Sequence, residues 1–264
     1  MRSALTIAGS DSIAGAGIQA DLKTFAALGV LGTCAITAVT AQNTSGVVDV
    51  HPLSPDIVRS QIDAVSRDIP PSAVKTGMLA THQIVETVVE ALSAFPALKL
   101  VVDPVMLAGA PGARTLLRPE AVEILKARLL PMALVVTPNV AEATALSGIE
   151  VRSRASAIEA AKRILGLGVR AVVVKGGHLE GPDAIDLLLD GASSQEFSAP
   201  RVDVGRVHGA GCTFASAIAA GLAMGDELPA AVQRAKNYVT GAIKYSSAPG
   251  AGARLLSHFW IYTS

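Results

Sequence analysis

Short runs of consecutive apolar residues recur along the chain: ALTIAG around Leu5, TCAITAVTAQ from Thr33, AVKTG from Ala73, KLVVDPV from Lys99, ALVVTPN from Ala133 and RAVVVKGG from Arg170. A strand with one wet face alternates apolar and polar residues, whereas continuous apolar runs predict strands covered on both faces. Between them lie AGIQADLKTFAAL, SPDIVRSQIDAVSRDI, HQIVETVVEALSAF, RPEAVEILKARLL, NVAEATALS and SRASAIEAAKRILGLG. Their apolar residues return at the period of a helix with one buried side. Ser54-Pro55 and Arg118-Pro119 put proline at a first helical position, where its missing N–H would have had no partner anyway. This alternation predicts a mostly parallel sheet with helices on both faces. After VVVKGGH the rhythm changes. DAIDLLLDGASSQEFSAPRV reads as two short strands around a Gly-Ala-Ser-Ser turn, an antiparallel edge, and two long helices from Gly211 and Pro229 then close the chain. No repeat or linker divides the sequence, so one α/β domain over residues 1–264 is expected.

In open α/β sheets ligands sit beyond the carboxyl ends of the strands. Those ends carry Gly9-Ser10-Asp11, Thr40-Ala41-Gln42-Asn43, Lys75-Thr76-Gly77-Met78, Asp103-Pro104-Val105-Met106, Thr137-Pro138-Asn139 with Glu142 one turn on, and Lys175-Gly176-Gly177-His178. Each alone has an ordinary reading: Asp103 as a turn former, Glu142 as a solvated helix residue, Lys175 as a surface lysine with a buried stem, Met78 as core filler. Together on one rim they point to a single polar site. The last such stretch, VHGAGCTFASAIAAG, places Gly209, Ala210, Gly211 and Cys212 where a helix begins. Unpaired N–H groups and the positive end of the helix dipole make such a turn an anion site. Taken alone, the stretch also fits a tight turn with Cys212 as a small packed residue. Neither the P-loop pattern nor G-x-G-x-x-G is present, which argues against a P-loop NTPase and a dinucleotide oxidoreductase.

Composition narrows the partners. Lys plus Arg equal Asp plus Glu at 22 each, so no net field draws nucleic acid or an anionic membrane, and a small-molecule ligand is expected. The apolar run near the start falls short of a signal sequence, and none reaches the length of a membrane span. Cys34 and Cys212 lack any disulfide or zinc spacing, which suggests a reducing, cytoplasmic setting.

The ordered set TIAGSDS, GAGIQADLKT, TAVTAQNT, VKTGM, VVDPVM, VTPN with Glu142, VVVKGGH and HGAGCT resembles the hydroxymethylpyrimidine/phosphomethylpyrimidine kinases of the ribokinase superfamily over nearly the whole chain. The resemblance implies a three-layer α/β/α sandwich, a homodimer, and ATP with Mg²⁺. It further implies phosphorylation of 4-amino-5-hydroxymethyl-2-methylpyrimidine to its monophosphate and then to the diphosphate for thiamin. By the same likeness, Gly209, Ala210, Gly211 and Cys212 would form the anion hole, with Cys212 facing the substrate hydroxyl. A helix N-terminus favours thiolate, so Cys212 would accept the proton, with the backbone N–H groups carrying more of the rate. Asn139 and Glu142 would organise Mg²⁺ and the phosphates, Asp103 would add charge for the metal, and Lys175 would neutralise phosphate oxygens. Gln42 would read the aminopyrimidine, with Gly9, Asp21, Met78 and Val105 lining the pocket; Asp21 could instead pair with a neighbouring base. The last two helices would supply the adenine slot.

The chain departs from the family pattern in four places: Ile13-Ala14 replaces a glycine pair, VMLAGAPGARTLL lacks a Lys-Ser-Gly, Ala210 replaces threonine, and GAGARLLSHFW replaces Gly-His-Gly-Pro. These bear on pocket shape, lid closure and substrate choice. Pyridoxal kinase, a non-catalytic nucleotide or thiamin-precursor sensor, and a redox protein using both cysteines are the competing readings.

Overall fold

The computed structural model describes residues 1–95, 97–106, 117–177, 181–191 and 193–263. In chain order the elements begin with β1 (Ser3–Asp11), α1 (Gly17–Ala27), β2 (Leu31–Asn43), β3 (Gly46–Pro52), α2 (Pro55–Asp68), β4 (Ala73–Thr76), α3 (His82–Leu92) and β5 (Leu100–Val102). They continue with α4 (Pro119–Ile124), β6 (Val135–Val136), α5 (Val140–Ser147), α6 (Arg154–Leu165), β7 (Ala171–Val174), β8 (Asp183–Asp190) and β9 (Ser193–Pro200). The last are β10 (Val207–His208), α7 (Ala210–Met224), α8 (Leu228–Lys244) and β11 (Arg254–Leu255).

One sheet runs in the order β3-β2-β1-β4-β5-β6-β7-β8-β9. β2 to β7 pair in parallel through β1, β4, β5 and β6, while β3, β8 and β9 are antiparallel. The period of two sorts the strand side chains between two cores. Leu5, Ile7, Val74, Val102, Val172 and Val174 face the layer of α2 to α6. Ala4, Ala73, Val101, Val135 and Val173 face α1, α7 and α8. Small residues dominate the second side, and Ala215, Ala217, Ala219 and Ala220 let α7 lie close against the sheet. This is the expected three-layer sandwich.

Two expectations change. The sheet has antiparallel strands at both edges, because GVVDVHP, with Val48 66% exposed, pairs with β2 as β3. The RPEAVEILKARLL helix is α-helical only to Ile124; it widens over Leu125–Leu129 and ends in a tighter turn over Leu130–Met132. Most of VMLAGAPGARTLL, residues 107–116, and His178 lie outside the described residues.

The chain moves from β1 to β2 on one side and then returns to β4 on the other. The crevice at the carboxyl ends of β1 and β4 is therefore the topological switch point, where such sheets bind ligands.

Candidate active site

A cavity of about 710 Å³ opens over these strand ends. Gly9, Gln42, Met78, Val105, Asp103, Asn139, Glu142, Lys175 and the turn from Gly209 to Cys212 all line it. The isolated motifs of the sequence are thus brought into one chamber.

Gly209 has φ +87°, and a Cβ there would stand 1.8 Å from the Gly15 carbonyl oxygen. Only glycine allows this contact. The Thr213 N–H donates to the Gly209 carbonyl at 2.9 Å, so the N–H groups of Ala210, Gly211 and Cys212 are the ones that a helix start leaves for a ligand. A Cβ on Gly211 would lie 3.1 Å from Lys175 Nζ, which sets the turn directly against the lysine.

Lys175 follows β7 and bridges to Asn139 across the sheet end. Its ammonium donates to Asp103 Oδ1 at 2.9 Å and stands 4.0 Å from Glu142 Oε2. Burial alone would lower its pKa, but the carboxylates of Asp103 and Glu142 outweigh that and raise it, so it stays a cation. Glu142 shows the reverse balance: burial, with Asp103 adding repulsion, pushes its carboxyl up to about 7 against the pull of Lys175. Asn139 caps α5, its side-chain oxygen accepting from the Glu142 N–H at 2.9 Å while Glu142 Oε2 accepts from the Asn139 N–H at 2.8 Å. The Asn139 oxygen is therefore committed to placing Glu142, and its NH₂ is left for the cavity.

Two sequence readings are corrected. Burial, with repulsion from Asp103 and Asp21, pushes the Cys212 thiol up to about 12 against the pull of Lys75, which favours the neutral thiol over the expected thiolate. Asp21 does not line the cavity. It is fully buried beneath it, paired with Lys75 Nζ at 2.8 and 3.0 Å and accepting from Thr6 and Ser216 at 2.6 Å. The base-pairing reading of Asp21 holds, with β4 rather than its own helix supplying the base.

Sequence reasoning assigned no role to Lys75 and Asp11, which it named only as strand-end residues, nor to His208 within its glycine turn, and it missed Asp186 and Lys236 altogether. Lys75 compensates Asp21, and that carboxylate overrides burial to raise its pKa. Asp11 accepts from the N–H groups of Ile13, Gly15 and Ala16 and meets His208 Nε2 at 2.9 Å. Burial would raise its pKa, but His208 and these amides hold it below the usual carboxylate range. Asp186 and Lys236 pair at 2.9 Å, and Asp186 also accepts from the Gly176 N–H at 3.0 Å. Lys236 had a signal, since it falls on the buried face of α8 between Val232 and Val239.

Among the described residues no cluster of three or more His, Cys, Asp or Glu could hold a metal alone. The donor chemistry of Asp103 and Glu142 nonetheless fits Mg²⁺, which takes one or two carboxylates and completes its shell with water and phosphate oxygens. Burial raises Glu142 first and repulsion from Asp103 adds to it; such a cation would relieve that repulsion.

A switch-point chamber that sets a helix-start anion turn against a lysine and two carboxylates is the site of a phosphotransferase. The sequence model of phosphomethylpyrimidine kinase matches residues 11–257. The hydroxymethylpyrimidine/phosphomethylpyrimidine kinase of Bacillus subtilis is 45% identical over 97% of this chain and 94% of its own length. The thiamine biosynthesis bifunctional protein of Geobacter sulfurreducens is 48% identical over 97% of this chain, which spans 52% of that longer relative. Among solved structures, the ADP complex of Bacillus subtilis pyridoxal kinase superposes with a TM-score of 0.92 at 38% identity, covering 100% of both chains. The chain belongs to the phosphomethylpyrimidine kinase family.

Proposed function

We propose that the protein uses ATP and Mg²⁺ to phosphorylate 4-amino-5-hydroxymethyl-2-methylpyrimidine, and then its monophosphate, for thiamin biosynthesis. The observation that carries this reading is the single chamber holding Gln42, the Lys175–Asp103–Glu142 group and the turn from Gly209 to Cys212. The substrate oxygen attacks the γ-phosphorus, the bond from that phosphorus to the β,γ-bridging oxygen breaks, and ADP leaves. The N–H groups of Ala210, Gly211 and Cys212 hold the charge that develops on the transferring group, and Lys175 neutralises its oxygens. The Cys212 thiol touches the hydroxyl as a neutral partner. Because the transition state is loose, the hydroxyl proton leaves late and passes to an oxygen of the transferred phosphoryl group, so no strong base is required. Asp103 and Glu142 would hold Mg²⁺ with water between, and the ion when bound would offset phosphate charge.

Gln42 reads the aminopyrimidine edge, and Gly9 leaves room for the Met78 side chain that lines the chamber with it, since a Cβ on Gly9 would meet Met78 Cε at 2.3 Å. A homodimer in the cytoplasm, built from one domain per chain, completes the reading. The outward Val39 and Val48 of the β2–β3 edge, 47% and 66% exposed, support a contact between copies. Pyridoxal kinase is the second reading, favoured by the close superposition on a pyridoxal kinase. ATP consumption with Mg²⁺ and product mass, run with the pyrimidine, its monophosphate and pyridoxal as acceptors, decides between them. Turnover of both pyrimidines is expected. Pyridoxal turnover alone would install the second reading, and no turnover would leave a sensor.

A further inference from the structure

His208 is the residue at which the substrate side and the phosphate side of the chamber meet. It precedes Gly209, and its ring is wedged in place, since a Cβ on Gly15 would come within 2.5 Å of it. Its Nε2 lies 2.9 Å from Asp11 Oδ2 and 2.8 Å from the Gln42 side-chain amide.

Proton bookkeeping settles how these three groups are arranged. Asp11 Oδ2 already accepts from the N–H groups of Gly15 at 2.9 Å and Ala16 at 2.8 Å, so it faces His208 as an ionised acceptor. The proton between them must therefore sit on His208 Nε2. A protonated Nε2 cannot accept from an amide NH₂. Gln42 satisfies it only by turning its carbonyl oxygen to His208, which places its NH₂ at Thr40 Oγ1, 3.3 Å from the other end of the amide. Thr40 has a free lone pair for this, because its own hydrogen goes to the Ser10 carbonyl at 3.0 Å. Every donor in the chain from Asp11 to Ser10 then has an acceptor.

We propose that His208 is a positioning residue that sets substrate specificity: its Nε2–H, shared between Asp11 and Gln42, fixes the polarity of the Gln42 amide. The amide keeps one lone pair and one N–H for the ligand. It thereby selects a heteroaromatic ring that offers an amine beside a ring nitrogen, and it disfavours rings that lack the amine. The inference rests on the reading of Gln42 as the group that meets the pyrimidine.

The test measures the dissociation constant of hydroxymethylpyrimidine by calorimetry, with KM for ATP and kcat alongside, in wild type, His208→Phe, His208→Gln, Gln42→Ala and the His208→Phe/Gln42→Ala double variant. His208→Phe should weaken pyrimidine binding about tenfold or more, the range for an unpaired polar group in a specificity pocket, and leave KM for ATP within about twofold. His208→Gln, which returns an N–H donor, should recover most of that loss. In the double variant His208→Phe should add little to Gln42→Ala, since coupled groups are non-additive. If Gln42→Ala leaves pyrimidine affinity unchanged, the reading of Gln42 falls and takes this inference with it. If Gln42→Ala weakens binding while His208→Phe does not, only the role of His208 is overturned. Equal loss in His208→Phe and His208→Gln, or a matching rise in KM for ATP, would likewise reduce His208 to a packing role.

Discussion

Cys212 shows how one side chain can be read correctly for place and wrongly for charge. The sequence put it at a helix start, and it is there. Burial, with repulsion from the carboxylates of Asp103 and Asp21 on other elements, outweighs the pull of Lys75 and raises the thiol's pKa. At pH 8 Cys212 should thus be alkylated by iodoacetamide at least about tenfold more slowly than a free peptide thiol, because only thiolate reacts. Peptide mass mapping over time gives the rate, and alkylation as fast as the free thiol would show that the helix start prevails. Beneath it, Lys75 and Asp21 are both fully buried. Lys75→Met leaves an unpaired buried carboxylate and should destabilise the fold by about 3–5 kcal/mol. Urea unfolding measures this; a loss under about 1 kcal/mol would mean that Thr6 and Ser216 suffice to hold Asp21.

At the scale of elements, α5 binds its own cap into the site through Asn139 and Glu142. Glu142 has its pKa raised from 4.5 to about 7 in the fold. The folded chain therefore holds that proton more tightly than the unfolded chain does, and stability falls as pH rises from about 4.5 towards 7. Without metal, Glu142→Gln should flatten that slope in unfolding midpoints taken across the same window. An unchanged slope would place the titration elsewhere. With wild type, Mg²⁺ should bind more tightly as pH rises through 7, since only the carboxylate ligates. The strands and helices around this element were legible because covered strands read as unbroken apolar runs and helix starts carry proline or a cap. β3 was not, for an edge strand with one wet face has neither signal. Lys75 lies inside the AVKTG run, where the pattern shows burial but not the partner that makes burial of a lysine tolerable.

For the whole molecule, what the sequence left out is mainly what joins distant segments. The rim residues could be collected by one rule, that ligands sit at strand ends. The pairings of Asp11 with His208, Asp186 with Lys236 and Asp21 with Lys75 span 197, 50 and 54 residues, and no local pattern carries them. The C-terminal segment makes the same kind of link. β11 pairs with β10, the strand that delivers His208, and the Ala253 N–H donates to Thr44 at 2.7 Å beside Gln42. Leu255 packs on the substrate-side loop, so that a Cβ on Gly15 would stand 2.8 Å from it. The departure in GAGARLLSHFW, residues 250–260, therefore alters a strap across the chamber and leaves the phosphate-facing residues in place. Leu255→Ala should cost about 2 kcal/mol or less at this half-buried site and loosen the loop more than the fold. Hydrogen exchange would register this as faster exchange at residues 12–16 and 207–209, with α7 beyond its first turn unchanged and pyrimidine affinity reduced. Uniform acceleration across α7 and α8 would instead make β11 part of the core, and the strap would have no separate role in the site.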